Sequence, residues 1–144
     1  MKTCADIMTP NPYFCLPTDN VITAAELMKR ENIGSVPVVD NDQTQKLIGI
    51  ITDRDLALKV VGEGLEAKST RVEAVMTRKV VTCRTDDELQ VALDAMSDNQ
   101  LRRIVIVDNA NKVLGIISQA DVATRANQPE KTAEVVKDIS ISNT

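Results

Sequence analysis

Two blocks of the chain carry the same alternation of apolar and polar positions. Val21, Ala24, Ala25 and Met28 fall at i, i+3, i+4 and i+7, as do Leu89, Ala92, Leu93 and Met96, which predicts one amphipathic helix per block. A β-branched run follows each helix, Val36-Pro37-Val38-Val39 and Ile104-Val105-Ile106-Val107. A polar turn then leads to a second apolar run, Lys46 to Ile51 and Lys112 to Ile117, so each pair of runs predicts a hairpin. Short strands at about Tyr13 to Leu16 and Val80 to Cys83 precede the helices, and short helices near Asp53 to Val60 and Gln119 to Arg125 close the blocks. Thr85-x-x-Glu88 has the spacing of a capping box for the second amphipathic helix.

Each block therefore reads β-α-β-β-α. Ile7-Met8-Thr9 matches Val75-Met76-Thr77 at a spacing of 68 residues, which Met28 and Met96 keep. Gly49 and Gly115 stand only 66 apart, because the first copy has two more residues in its turn. The division is residues 1–61 for the first repeat, 62–71 for a connector with two glycines, 72–126 for the second repeat and 127–144 for a tail. In the tail, Pro129-Glu130 and the apolar residues after it predict a short helix, and Ile139 to Ser142 reads either as a strand or as a frayed end. A repeat of about 55 residues is marginal alone. The expected fold class is α+β, two β-α-β-β-α repeats packed about an approximate two-fold axis.

The chemistry-bearing residues sit where strand passes into helix. Gly49-Ile50-Ile51-Thr52-Asp53-Arg54-Asp55 and Gly115-Ile116-Ile117-Ser118-Gln119-Ala120-Asp121 share the form Gly-h-h-[Ser/Thr]-x-x-Asp, with h apolar. A hydroxyl residue three positions before a carboxylate is a capping pattern that stabilises a helix start with no ligand at all. Its recurrence at matching positions of a repeat points beyond capping.

Composition removes several alternatives. The 144 residues include no histidine, which takes away the commonest general base and any Ser-His or Cys-His nucleophile. The three cysteines are far apart, without Cys-x-x-Cys, which argues against a disulfide framework and a zinc site. Cys15 and Cys83 occupy equivalent positions and read as small buried hydrophobes, and the methionines at helical spacing read as core. A net charge of −4 and one Tyr, one Phe and no Trp argue against nucleic acid held by charge or by stacking. No apolar run has the length of a membrane span, and Asp6, Pro10, Pro12 and Pro17 interrupt any signal peptide, so the expected location is the cytoplasm.

Three motifs in a fixed order mark each repeat. Asp6-Ile7-Met8-Thr9-Pro10 at the front, Ile33-Gly34-Ser35-Val36-Pro37-Val38-Val39-Asp40 in the middle and the Gly49 to Asp55 motif at the end resemble a cystathionine β-synthase (CBS) domain. The second copy resembles one as well, so residues 1 to 126 are similar to a CBS pair, or Bateman module. The resemblance implies a cleft between paired sheets for AMP, ADP, ATP or S-adenosylmethionine, no required cofactor, a homodimer, and regulation in place of catalysis. It carries the ribose and phosphate contacts onto Thr52 with Asp55 and Ser118 with Asp121, and phosphate contacts onto Arg103 and Arg54; in such a role a carboxylate can accept from both hydroxyls of a ribose, and helix-start amides with Thr52 suit a phosphate. The copies differ here: Ala120 stands opposite Arg54, Gly34-Ser35 opposite Arg102-Arg103, and Val105 opposite Pro37.

The leading function is a sensory module whose adenosine ligand alters a dimer and its contact with a protein partner. An alternative is a dimeric interaction or stress-response scaffold whose motifs only cap helices. An enzyme using Asp53, Asp55 or Asp121 as acid or base is disfavoured, since no nucleophile pair or metal cluster accompanies them.

Overall fold

The computed structural model describes residues 1–125; the two expectations for the tail lie outside the described residues. In chain order the elements are α1 (Cys4–Ile7), β1 (Thr9–Pro10), α2 (Val21–Glu31), β2 (Ser35–Val39), β3 (Leu47–Thr52), α3 (Asp53–Asp55), α4 (Val72–Val75), β4 (Thr82–Arg84), α5 (Leu89–Asn99), β5 (Arg103–Val107), β6 (Val113–Ser118) and α6 (Gln119–Arg125). Among the described residues no helix is long and apolar enough to cross a membrane.

Two compact units result, and they do not coincide with the sequence repeats. One comprises Tyr13–Val80, the other Met1–Pro12 with the described residues from Val81 onward. The lead-in of each repeat, with its Met-Thr pair, thus belongs to the unit built from the body of the other repeat.

In the unit of residues 13–80, β2 and β3 form an antiparallel hairpin, Ser35 opposite Thr52. Cys15 bridges to Val38 in parallel and Thr77 bridges to Ile50 antiparallel. β2 is buried along Val36–Val39, whereas β3 alternates buried and half-buried residues. The Asn20 side chain accepts from the amide of Ile22 and caps α2. Val21, Ala24, Leu27 and Met28 of α2 pack with Val36, Val38 and Ile51, and with Val72, Val75 and Met76 of the lead-in. The connector is held to this unit as well: the Asn20 side-chain amide donates to the Lys68 carbonyl, and the Val21 backbone amide to that of Thr70.

The other unit repeats this plan with longer pairings. Its sheet has the order β1-β6-β5-β4, with β4 parallel to β5 and the other pairings antiparallel. Leu89, Ala92, Leu93 and Met96 cover it together with Cys4 and Ile7. The expected core role of both helix methionines and of Cys15 and Cys83 is what the structure shows, all four being buried. Both hairpins carry an irregularity at the same place, between Val38 and Val39 and between Ile106 and Val107.

The first-copy turn closes on Asp40, which accepts from the Thr44 hydroxyl and from the amides of Lys46 and Asn41. Those donors hold its carboxyl below the ordinary range, the Thr44 hydroxyl contributing most.

Three expectations need correction. The strand expected at about Tyr13 to Leu16 is only a single bridge, from Cys15 to Val38. Thr85 and Glu88 form no capping box: α5 starts at Leu89, Glu88 is its N-cap residue, and its side chain makes no capping bond. Asp87 accepts from the Arg84 amide, so the residues before α5 close a turn and the helix starts later than the spacing predicts. The helix expected over 53–60 is α-helical only as far as Asp55 and continues as a π-helix over Leu56–Val61. A bond across five residues marks the wider turn, the Gly62 amide donating to the Ala57 carbonyl at 2.8 Å.

Candidate functional site

The two Gly-h-h-[Ser/Thr]-x-x-Asp motifs form the ends of β3 and β6 and the first turns of α3 and α6. Both capping relations are made. The Thr52 hydroxyl accepts from the Asp55 amide at 3.0 Å, and the Asp55 carboxylate accepts from the Thr52 amide at 3.0 Å. Ser118 and Asp121 do the same at 3.2 and 3.0 Å.

Asp55 makes further bonds. Its Oδ1 accepts from Lys59 Nζ at 2.9 Å, and the Thr77 hydroxyl donates to the carboxylate at 3.1 Å. Lys59 also donates to the Val75 carbonyl at 3.0 Å. Asp55 is 6% exposed and is the one carboxylate in the core among the described residues. A carboxylate offers about four acceptor positions, and here three donors already use them. In the other unit the Thr9 hydroxyl donates to Asp121 at 3.3 Å, the counterpart of the Thr77 contact.

The spacing of 68 between Thr9 and Thr77 therefore has a structural meaning. The Met-Thr pair of each repeat docks on the Gly-h-h motif of the other. Met76 and Thr77 lie so close to Gly49 that an added Cβ would stand 2.9 Å from the Met76 sulfur and from the Thr77 carbonyl oxygen. At Gly115 the same atom would meet Met8 and the Thr9 carbonyl oxygen, the latter at 3.0 Å. Only glycine leaves room for this approach.

The sequence-predicted residues fall into two groups. Thr52, Arg54 and Asp55 lie together in the unit of residues 13–80, where Arg54 is exposed. Arg103, Ser118 and Asp121 lie together in the other unit, where Arg103 is half-buried and paired in register with Ser118 across β5 and β6. Directly opposed residues are neighbours across a sheet, so Arg103 springs from the same sheet end as the Ser118 hydroxyl and the Asp121 carboxylate. Ser35 holds the position of Arg103 in the first copy, opposite Thr52. Its hydroxyl is buried and has no hydrogen-bond partner among the described residues.

The helix-start amides do not stand free for a phosphate in the first copy. The Asp53 amide donates to the Gly34 carbonyl, that of Arg54 to the Asp53 side chain and that of Asp55 to Thr52. Each amide finds an acceptor because the chain packs Gly34 against the helix start and because Asp53 bends back on its neighbour. Sequence reasoning misses Thr9, Thr77, Lys59 and Ser35 as site residues. The shared 68-residue spacing is a signal for the two threonines, and the spacing of four from Asp55 within the expected helix is one for Lys59.

The fold and the doubled motif define a CBS domain pair. The CBS domain family model matches residues 4–62 and again 72–127, and the chain belongs to that family. The CBS domain-containing protein YhcV of Bacillus subtilis (strain 168) is 33% identical over 143 residues, covering 99% of each chain. The structure of CBSX2 in complex with AMP is 29% identical with a TM-score of 0.76, over 90% of this chain and 99% of that one. The CBS domain pair of protein MJ0100 in complex with 5'-methylthioadenosine and S-adenosyl-L-methionine is 28% identical with a TM-score of 0.73, over 85% and 94%.

Proposed function

We propose that this chain is a non-catalytic regulatory module that binds an adenosine-containing ligand, AMP, ADP, ATP or S-adenosylmethionine, at its motif helix starts and signals through a homodimer. The observation that carries this reading is the placement of Arg103, Ser118 and Asp121 at one sheet end, a cation and hydroxyl suited to phosphate with a carboxylate suited to ribose. The adenosine ligands of CBSX2 and of the MJ0100 pair support it. The unpartnered Ser35 hydroxyl beside Thr52 supports a polar ligand in the first copy. Thermal melting with each ligand tests it: one of them at about 100 times its dissociation constant is expected to add about 2.7 kcal/mol of stability.

A ligand-free interaction or stress-response scaffold is the second reading, and the internal engagement of Asp55 by Thr52, Thr77 and Lys59 favours it. A melt unmoved by all four ligands would decide for it. The dimer draws support from apolar surface near the π-helix, where Leu58 is 51% and Val61 78% exposed. Sedimentation is expected to give twice the 15.7 kDa chain mass; a monomer at every concentration would remove the dimer from either reading.

A further inference from the structure

Cys4 and Cys83 are distant in sequence and adjacent in space. Cys4 lies on α1 of the first repeat's lead-in and Cys83 on β4, and both belong to one buried cluster. Backbone bonds fix the lead-in beside the residues that follow β4: the Cys4 amide donates to the Asp87 carbonyl at 2.9 Å, Ala5 to Thr85 at 3.0 Å and Leu89 to Lys2 at 3.0 Å. The neighbouring Cys83 thiol, aided by burial, raises the pKa of Cys4 well above the ordinary thiol value. The Cys4 thiol in turn lowers that of Cys83, against burial and the charge of Asp87. Cys83 is also among the residues around a cavity of about 270 Å³, with Thr82, Arg84, Asp87, Asp108 and Asn109.

The other unit shows what the fold itself asks of these positions. Cys15 and Val72 stand 68 residues from Cys83 and Cys4 respectively, and both are buried in the equivalent core. Valine thus serves where Cys4 stands, so packing alone does not call for a second thiol. Cys15, without a thiol neighbour, has its pKa pushed up to about 11, chiefly by burial.

We propose that Cys4 and Cys83 are a redox pair that closes to a disulfide on exposure to a hydroperoxide. The Cys83 thiolate attacks the peroxide, breaking the O–O bond and giving a sulfenic acid. The Cys4 sulfur then displaces the sulfenic hydroxyl, which leaves as water with the Cys4 proton. With hydrogen peroxide the balance is two thiols and one peroxide to one disulfide and two waters. Closure ties the lead-in to β4, and with it Thr9, whose hydroxyl holds Asp121. This chemistry goes beyond the ligand reading and does not depend on it.

The test exposes the folded, reduced full chain to hydrogen peroxide, then alkylates it in denaturant. A protease that cuts before aspartate separates Cys4 from Cys15 at Asp6. Mass spectrometry is expected to find the Cys4 and Cys83 fragments joined with the loss of two hydrogens, released as separate fragments only after dithiothreitol, and Cys15 alkylated throughout. Cys4→Val, which installs the side chain that Val72 supplies at the equivalent position, is expected to fold and to give no cross-link. All three cysteines alkylated after peroxide, or cross-links that involve Cys15 as often as Cys4, would overturn the proposal.

Discussion

Replacing Asp55 by alanine is expected to lower the unfolding free energy by about 2–4 kcal/mol, measured by urea denaturation. Loss of the reciprocal cap with Thr52 costs about 1 kcal/mol. The Thr77 hydroxyl and the Lys59 ammonium also lose their acceptor, at about 1–3 kcal/mol for an unsatisfied buried group. Lys59 lies at the low end of that range because its side chain is 46% exposed and water can take over. Asp55→Asn keeps an acceptor of the same shape and is expected to lose about half as much. Asp121→Ala should cost less than Asp55→Ala, since Asp121 is only half-buried and its bond from Thr9 is longer. An alanine variant within about 0.5 kcal/mol of the parent, the range of an ordinary surface change, would show that Asp55 does not hold the lead-in.

This structural duty changes how binding data at Asp55 must be interpreted. The family resemblance implies a ribose contact for this carboxylate, so that its removal is expected to cost ligand affinity. In the structure a ribose with two hydroxyls has to compete with Thr77 and Lys59 for the same oxygens. Affinity is therefore best measured on Asp55→Asn, in which the fold is better preserved. Loss of ligand protection there, with the cap intact, separates a binding role from a structural one.

Hydrophobic periodicity makes the bodies of the two repeats legible: α2, α5 and both hairpins lie where their apolar positions place them. The capping relation of Thr52 with Asp55 and of Ser118 with Asp121 is equally plain, because it is local. What is not legible is exchanged between repeats. Two residues of β1 and a single bridge at Thr77 carry too little pattern to reveal which sheet they join. The Cys4–Cys83 contact follows from that exchange, so counting cysteines along the chain cannot find it. The π-helix after Asp55 is likewise hidden, since an apolar stripe does not distinguish a turn of about 3.6 residues from a wider one.

The exchange also makes the motif glycines the most exacting positions of the two units. Gly49→Val is expected to destabilise the chain by about 3 kcal/mol, the upper part of the range for overpacking. The Cβ alone would lie 2.9 Å from the Thr77 carbonyl oxygen. That oxygen accepts from the Ile50 amide at 2.8 Å while the Thr77 amide donates back to the Ile50 carbonyl at 2.8 Å, so it cannot withdraw without breaking the bridge that seats Thr77 on Asp55. Gly115→Val is expected to be similarly costly, but the nearest atoms there belong to the Met8 side chain, which can move. Trimming Met8 to alanine should therefore offset more of the Gly115→Ala loss than Met76→Ala offsets of the Gly49→Ala loss: the Met8 Cγ would stand 2.8 Å from the added Cβ and the Met76 Cγ 3.3 Å, while a carbonyl oxygen remains in both units. Urea denaturation of the two double-mutant cycles measures this difference. Additive losses in both cycles, or a Gly49→Val variant as stable as the parent, would show that the lead-ins are not packed against the motif glycines.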